Sequence, residues 1–227
     1  MDNEYTLKAI AHVHSDFKTK FGIPRQSGLV PELISTIVFE PEYSNKEALR
    51  GIEQFSHLWL IWQFSETVRD NWSPTVRPPR LGGNKRVGVF ATRSPYRPNA
   101  LGLSCVKRMD VFEGESGTMC IVVSGADLMD GTPIYDIKPY LPFADSIPDA
   151  VGGFADEKFS YSLKVEFDTE LMNRLPADKR EAAIKILEQD PRPSYQNNPD
   201  RIYGVEFAGF DIKFKVDGNL LTVISLE

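Results

Sequence analysis

Short extended segments dominate the first two thirds of the chain. These segments are rich in Val, Ile, Phe and Trp, and turn-forming residues separate them. This pattern favours an all-β sheet or barrel over alternating strand–helix–strand units. The predicted strands cover residues 5–13, 34–39, 57–64, 86–92, 101–112, 119–124 and 134–140. One short helix is predicted over residues 45–52, with Ser44 as its N-cap.

The pattern changes after Pro148, where the small and turn-rich segment 149–157 indicates a linker. Residues 159–167 alternate as a strand, and residues 169–189 have helical spacing that Pro176 is expected to interrupt. The DPRPSY segment from Asp190 ends that helix. Two terminal stretches, 203–216 and 220–226, are predicted to form a hairpin. We therefore predict a mainly β domain over residues 1–150 and a small α+β C-terminal domain over residues 151–227.

Length and composition are those of a globular protein of one large domain, or of one domain with an appendage. The chain has 227 residues, of which 41% are hydrophobic and 26% are charged. It contains no apolar run long enough for a membrane span, and its first residues do not resemble a secretory signal. The two cysteines, Cys105 and Cys120, form no CxxC pair, so we expect a reducing cytoplasm.

Charge is distributed unevenly along the chain. The net charge of −6 argues against a nucleic-acid partner when it is taken as a whole. Residues 69–108, however, contain nine Lys or Arg and only one acidic residue, Asp70. A local basic patch is more informative than the total charge, so this segment predicts an anionic partner. An exposed loop rich in Arg and Pro is the alternative.

Two short motifs carry candidate binding groups in the first sixty residues. In GIPRQ, Arg25 suits bidentate recognition of a carboxylate or phosphate, and Gln26 suits the edge of a heterocycle, although a solvated loop would look the same. In FSHLW, His57 begins an apolar strand, where a histidine is usually bonded to backbone. His12 and His14 would share one face of a strand, but no third ligand stands nearby, so no metal site is expected.

Two further segments are richer in chemistry. In RSPYRPNALGLS, prolines stiffen a loop that carries Arg93 and Arg97, which suits recognition of an anion, and Gly102 would allow close approach to a ligand. The segment 127–140 contains Asp127, Asp130 and Asp136, which is more acid than a turn requires. The dinucleotide, Walker, GxSxG and HExxH motifs are missing from the sequence. The residues alone thus indicate an anion-binding β protein.

A combination of motifs resembles a known family. The motifs GIPRQ, FSHLW, VRPPRLGG, GVFATRSPYRPN, DGTPIYDIKPYLPFADS and DPRPSY closely resemble those of the TsaA-like family, and over nearly the whole length those of its bacterial TrmO members. These are tRNA adenine N6-methyltransferases. One departure is Ala100, where many relatives have proline, but it leaves both arginines of the loop in place.

The resemblance implies a compact antiparallel β-barrel that binds S-adenosylmethionine without a Rossmann fold, a smaller C-terminal domain, and a homodimer whose interface contributes to the cofactor site. It implies as substrate the N6-threonylcarbamoyladenosine at position 37 of threonine tRNA. Matching the motifs places the cofactor site at Pro24, Arg25, Gln26, His57, Leu58, Arg93, Leu103, Asp127, Leu128, Met129 and Asp130.

Roles follow from the chemistry of the implied ligands. Arg25 or Arg93 would hold the cofactor carboxylate, and Asp136 and Tyr135 are the candidates for accepting the N6 proton. We expect a stacking contact with RNA from Trp72 or Tyr96. The predicted tRNA-binding residues are Arg69, Arg77, Arg80, Lys85, Arg86, Arg97, Arg192 and Tyr195. A protein that only binds S-adenosylmethionine or tRNA, and a methyltransferase for another substrate, are the alternatives.

Overall fold

The computed structural model describes residues 4–67, 71–78, 81, 84–158, 161–192 and 198–227. The strands within these residues are β1 (Ala11–His14), β2 (Ile34–Phe39), β3 (His57–Gln63), β4 (Thr75–Val76), β5 (Val87–Gly88), β6 (Leu101–Glu113), β7 (Met119–Ser124), β8 (Pro133–Pro139), β9 (Lys164–Glu166), β10 (Tyr203–Phe207), β11 (Phe210–Asp217) and β12 (Leu220–Leu226). The α-helices are α1 (Pro142–Asp145), α2 (Thr169–Asn173) and α3 (Arg180–Glu188). Short 3₁₀ turns include Lys46–Leu49, Ile52–Gln54, Val89–Ala91 and Gly153–Lys158.

Six strands close into a barrel, which confirms the expected mainly β fold. Their order is β1-β2-β7-β6-β3-β8, and β8 pairs with β1 to complete the ring. Every neighbouring pair is antiparallel. Alternate residues of β3, namely Leu58, Leu60 and Trp62, point inward and are buried. This period of two is that of a β-strand, in which successive side chains point to opposite faces.

Local differences from the predicted elements have local causes. The strand predicted over residues 86–92 is wrong beyond Gly88, because the chain turns there into the 3₁₀ turn Val89–Ala91. The predicted helix over 45–52 is two 3₁₀ turns. The cap is Asn45, whose side chain accepts from the Glu47 amide at 2.9 Å. Ser44 instead accepts a hydrogen bond from the amide of Met119 at 2.7 Å.

The C-terminal part forms a second sheet in the order β10-β11-β12-β9, in which β9 and β12 are parallel. The predicted interruption at Pro176 is confirmed, since α2 ends before it and α3 begins after it. The stretch 203–216 contains two strands where one was predicted. Ala208 and Gly209, with φ of 53° and 82°, form the tight turn between them. The terminal hairpin is therefore a three-stranded unit.

The segment between β1 and β2 belongs to the hydrophobic core of the C-terminal sheet. Phe17, Val30 and Leu33 are buried in the same cluster as α3 and the strands β10 to β12. The ring of Phe17 lies 5.4 Å from that of Phe207. This packing holds residues 17–33 between the barrel and the second sheet. The domain boundary at residue 150 stays a prediction.

Two further observations concern function classes. In the described part of the chain, no helix has the length and apolar character needed to cross a membrane. The same residues bring together no group of three or more His, Cys, Asp or Glu side chains suited to a metal ion. His12 instead contacts Glu40 at 2.5 Å, and His14 lies 3.4 Å from Asp130.

Candidate functional site

A cavity of about 520 Å³ opens where the end of β3 pairs with the start of β6. Its volume lies in the range of about 300–1,000 Å³ that is typical of small-molecule sites. Four segments that are distant in the sequence meet there. The lining residues are Lys20, Ile23, Pro24, Arg25, Gln26, Trp62, Gln63, Phe64, Ser65, Glu66, Thr92, Arg93, Pro95, Arg97, Leu101, Gly102, Leu103, Asp127, Leu128, Met129 and Thr132. We call it the first cavity.

The wall between the first cavity and the barrel core depends on one glycine. Gly102 pairs with Trp62 across β6 and β3, and a Cβ atom at Gly102 would lie 2.2 Å from the Trp62 ring. The indole therefore occupies the space that any larger residue at Gly102 would need. From the sequence we expected Gly102 to allow close approach of a ligand. In the structure it makes room for the Trp62 ring.

A chain of hydrogen bonds leads from that indole to a carboxylate. Trp62 donates from Nε1 to the Ser104 hydroxyl at 3.0 Å, and Ser104 donates to Asp127 Oδ1 at 2.6 Å. Ser104 is fully buried, so its hydroxyl has a fixed role as acceptor from one side and donor to the other. This chain fixes the orientation of the Asp127 side chain at the cavity wall.

Burial raises the pKa of the Asp127 carboxyl above its usual value. The hydrogen bond from Ser104 and the positive charge of Arg93 act in the opposite direction and offset only part of the effect. The charged form of a carboxylate is disfavoured where water is excluded. Asp127 is thus a carboxylate whose affinity for a proton is increased, and it lines a cavity, which is the combination expected of a proton acceptor.

Cationic and amide groups also line the first cavity. Arg93 Nη1 donates to the side-chain oxygen of Gln26, which joins the GIPRQ segment to the proline-stiffened loop. Arg97 Nη1 donates to the Thr92 carbonyl at 3.0 Å. Arg25 lines the same cavity and is exposed. The site therefore combines positive charge with a partly desolvated carboxylate, on which the charge of Arg93 acts.

Most residues predicted for cofactor binding line the first cavity. They are Pro24, Arg25, Gln26, Arg93, Leu103, Asp127, Leu128 and Met129. His57 and Leu58 do not line it. They lie at the other end of β3, and at the rise of an extended strand Leu58 is about 13 Å and His57 about 16 Å from Trp62. Leu58 is fully buried in the barrel core, and the His57 ring lies 6.2 Å from that of Tyr140.

Asp130 also lies outside the first cavity. It accepts from the Ser15 amide at 3.1 Å and from Lys18 Nζ at 2.6 Å. Burial alone would raise the pKa of Asp130, but the contacts with Lys18, Ser15 and His14 outweigh it and lower the pKa. The Asp130 carboxylate therefore connects the 125–132 segment to the residues that follow β1.

The two candidates for accepting the N6 proton are placed differently from each other. Asp136 is paired with Lys138 at 2.8 Å and does not line the first cavity. Tyr135 does not line it either, but its hydroxyl donates to the side-chain oxygen of Gln63, which does. Tyr135 therefore contacts a residue of the cavity wall without lining the cavity itself.

The basic segment presents exposed cations beside an aromatic pair. Arg77, Lys85 and Arg86 are exposed, and Arg86 donates to the Thr75 hydroxyl at 2.8 Å. Trp72 and Phe90 stack with ring centroids 6.1 Å apart. The Arg97 guanidinium lies 6.0 Å from the Phe90 ring. Arg69, Arg80 and Tyr195 lie outside the described residues. Arg192 is buried beside a second, smaller cavity.

Sequence reasoning misses several residues of the site. They are Trp62, Phe64 and Lys20, which line the first cavity, and Ser104, which donates a hydrogen bond to Asp127 without lining the cavity. The register of β3 against β6, which pairs Trp62 with Gly102, could have indicated the first of these. A tryptophan facing a glycine across an antiparallel pair is a recognisable cross-strand arrangement. No local pattern indicated Ser104, because its partner Asp127 is 23 residues away.

Comparison with known proteins identifies the family. Residues 12–146 match the model of the tRNA-methyltransferase O N-terminal domain, and residues 160–227 match that of the TrmO C-terminal domain. The tRNA (adenine(37)-N6)-methyltransferase of Escherichia coli K12 is 39% identical, with 99% of each chain covered. The human protein of the same name is 39% identical over 65% of this chain and 32% of its own length. A crystal structure of TrmO from Pseudomonas aeruginosa superposes with a TM-score of 0.79 at 34% identity, covering 99% of this chain and 97% of that one. The chain belongs to the tRNA-methyltransferase O family.

Proposed function

We propose that this protein transfers a methyl group from S-adenosylmethionine to N6 of adenine 37 in tRNA. One observation carries the proposal. The arginine loop, the GIPRQ segment and the acidic segment after β7, which are far apart in the sequence, line one cavity of ligand size. A relative that is aligned over 99% of this chain bears the name of that activity.

The first cavity fits S-adenosylmethionine in charge and character. Arg25 and Arg93 supply cations for its carboxylate, and Trp62 with Phe64, whose ring centroids are 4.3 Å apart, supply an aromatic wall for a flat ring or a sulfonium. The bound cofactor supplies the methyl group and leaves as a neutral thioether. The protein therefore needs to do more for the acceptor nitrogen than for the donor.

We assign acceptance of the N6 proton to Asp127. The nitrogen loses its proton as it gains the methyl group, and Asp127 is a cavity carboxylate whose pKa burial raises. The hydrogen bond from Ser104 holds it in one orientation. Asp136, our first candidate, is paired with Lys138 outside the cavity, and Tyr135 contacts Gln63. Orientation and proton acceptance together can contribute several powers of ten to a rate.

The surface around Trp72 and Phe90 supports an RNA substrate. Arg77, Lys85 and Arg86 would contact phosphates, and the aromatic pair offers a face on which a base of a single-stranded loop can stack. Affinity for tRNA should therefore fall steeply between low and moderate salt. An affinity that stays flat over this range would contradict the proposed surface.

The proposal extends to a finer substrate and to assembly. We take the target base to be N6-threonylcarbamoyladenosine in threonine tRNA, the protein to be a homodimer, and its compartment to be the cytoplasm. Phe143, Ile147 and Val151 are 88%, 69% and 89% exposed, and pairing of two subunits would cover such apolar side chains. Light scattering of the wild type and of Phe143→Asp would test the dimer.

One experiment separates the proposed function from its alternatives. The protein is incubated with labelled S-adenosylmethionine and with tRNA from cells that contain or lack the threonylcarbamoyl group. Label on N6 of the modified tRNA alone is the expected result. Ligand binding without transfer would indicate a binding protein, and equal transfer to both tRNA samples would indicate a methyltransferase with another substrate.

A further inference from the structure

A second cavity of about 170 Å³ lies between the segment after β1 and the end of α3. It shares Lys20, Ile23, Pro24 and Arg25 with the wall of the first cavity, so the same segment separates the two. Its other lining residues are Phe21, Gly22, Ile186, Gln189, Asp190, Pro191 and Arg192. The volume is below that of sites for whole cofactors and suits a single functional group.

Arg192 is the buried cation of the second cavity. Its side chain is only 7% exposed, and it grips Asp190 through Nε and Nη2, at 2.8 Å each. The third nitrogen, Nη1, is buried and finds no hydrogen-bond partner among the residues that the structure describes. A buried donor left unpaired costs roughly 1–3 kcal/mol, and more when it is charged. Such a donor is expected to bind something in the working state.

The local structure holds this guanidinium in place. Asp190 has φ of 51°, a left-handed conformation that non-glycine residues adopt rarely. Burial alone would raise its pKa, but hydrogen bonds from Arg192 and Tyr161 outweigh it and lower the pKa, so the partner of Arg192 is a carboxylate in its charged form. Backbone strain of this kind is frequent where a side chain is held for binding.

The charge around the second cavity favours an anion. Arg192, Lys20 and Arg25 are positive, and Asp190 is negative, so the lining has an excess of positive charge. The Arg192 guanidinium also lies 6.0 Å from the ring of Tyr203, whose packing restricts its movement. A planar guanidinium with one open donor and two further cations nearby suits an oxygen of a carboxylate or phosphate.

We propose that the second cavity is a subsite for an anionic group of the RNA substrate, in which Arg192 Nη1 donates to a carboxylate or phosphate oxygen. This inference rests on the proposed function for the identity of the RNA. The anion comes from the side chain of the target base or from the phosphate next to it. Arg192 acts there as a specificity-determining residue and takes no part in methyl transfer.

The test uses the full-length protein and an anticodon stem-loop that carries threonylcarbamoyladenosine. Two analogues each remove one negative charge: a methyl ester of the threonyl carboxylate, and a methylphosphonate at the phosphate next to the target base. We expect one analogue to bind the wild type about tenfold more weakly than the parent RNA. The affected analogue identifies the source of the anion.

The decisive variant is Arg192→Gln combined with Asp190→Asn. It replaces the ion pair by two neutral amides, leaves the net charge unchanged, and places at position 190 an asparagine, which tolerates a left-handed φ. It should bind the parent RNA about tenfold more weakly and no longer distinguish it from the analogue. Its affinity for S-adenosylmethionine should stay within about twofold, because the first cavity is intact.

The matched control is Arg201→Gln. Arg201 lies 5.5 Å from the same Tyr203 ring, is exposed and lines neither cavity, so its replacement should leave the tenfold discrimination unchanged.

Two results would overturn the subsite. One is wild-type protein that binds both analogues as well as the parent RNA, a measurement that does not depend on any variant folding. The other is discrimination that persists in the double variant. Wild-type protein that transfers methyl but fails these tests would refute the subsite alone. Protein that passes them without transferring methyl would refute the proposed activity alone.

Discussion

Asp127 and Asp130 lie three residues apart in the segment between β7 and β8, yet they face two different regions of the molecule. Asp127 lines the first cavity, where burial raises its pKa. Asp130 faces the residues that follow β1, where contacts with Lys18, Ser15 and His14 outweigh burial and lower its pKa. Two identical side chains in one acidic motif thus have opposite preferences for a proton.

The difference shows what decides the role of a carboxylate in this fold. Burial raises the pKa of Asp127 by more than the Ser104 hydroxyl, the charge of Arg93 and the nearby backbone amides together lower it. Asp130 is hydrogen-bonded to an ammonium group and a backbone amide, which favour its charged form. The first arrangement suits proton transfer, and the second suits stability.

The largest expected effect is that of Asp127→Asn. The amide oxygen can still accept from Ser104, but the side chain can no longer take a proton, so kcat should fall about a hundredfold or more. Because the pKa of Asp127 is raised in the folded state, its ionisation opposes folding. The protonated carboxyl favours the folded state, and this stabilisation is lost as pH rises from the pKa of the unfolded chain to the higher pKa of the folded protein. Asp127→Asn should therefore leave the free energy of unfolding at neutral pH unchanged or higher.

Single-turnover methyl transfer at saturating cofactor, together with urea unfolding at several pH values, would check both parts. Asp130→Asn is the matched control, since it makes the same chemical change three residues away. Full turnover in Asp127→Asn would remove Asp127 from proton transfer. A loss of cofactor affinity that accounts for the whole defect would assign it to cofactor binding instead.

Gly102→Ala should disturb the hydrogen-bonded wall that distinguishes Asp127. The new methyl group would meet the Trp62 ring at 2.2 Å, so the indole or the strand must shift. Overpacking of this kind costs about 1–3 kcal/mol of unfolding free energy. Chemical denaturation would measure it, with Gly88→Ala as control, because a methyl group at Gly88 meets nothing within 4 Å and φ there is −59°. Equal stabilities of the two variants would show that the ring moves without cost.

The contrast between the two carboxylates also shows where sequence reasoning reaches its limit. Segments rich in strand-forming residues and bounded by turn residues predicted β2 and β7 at the observed bounds, because this signal is local. The motifs named Arg25, Arg93 and Asp127, which line one cavity. The environment of each carboxylate depends on partners such as Ser104 and Lys18, which are 23 and 112 residues away. Such pairings follow from strand register and loop packing, and no local pattern contains them.

The same limit explains the placement of Asp136 and His57. Both stood in conspicuous motifs, and both lie outside the first cavity. Asp136 and Lys138 lie two residues apart on β8 and therefore share one face of that strand, where they form an ion pair at the surface. The roles predicted for these residues stay predictions. Their positions show that a residue of a conspicuous motif need not line the cavity.

Arg93→Gln should sharpen the comparison through a second residue that lines the first cavity. Arg93 is a positive charge that lowers the pKa of Asp127, so its removal should raise that pKa further. The rising limb of the pH–rate profile should move to higher pH, and affinity for S-adenosylmethionine should fall about tenfold with the loss of a charge-assisted contact. Arg77→Gln, an exposed change outside the first cavity, should leave both quantities unaltered. An unshifted profile would mean that Asp127 does not control the pH dependence.

The smallest effect is expected for Asp130→Asn, and its pH dependence should run opposite to that of Asp127→Asn. Asp130 has a lowered pKa in the folded state, so its charged form stabilises the fold at any pH above the pKa of the unfolded chain. This stabilisation is lost as pH falls through the pKa of the folded protein. The variant should lose about 1 kcal/mol at pH 7, since its contacts with Lys18 and Ser15 become weaker, and almost nothing in strong acid. Turnover should stay within twofold.

Urea unfolding of the wild type, Asp130→Asn, Lys18→Met and the double variant would isolate the interaction between the two side chains. Additive losses, or a loss that persists in acid, would show that Asp130 does not stabilise this contact through its charge.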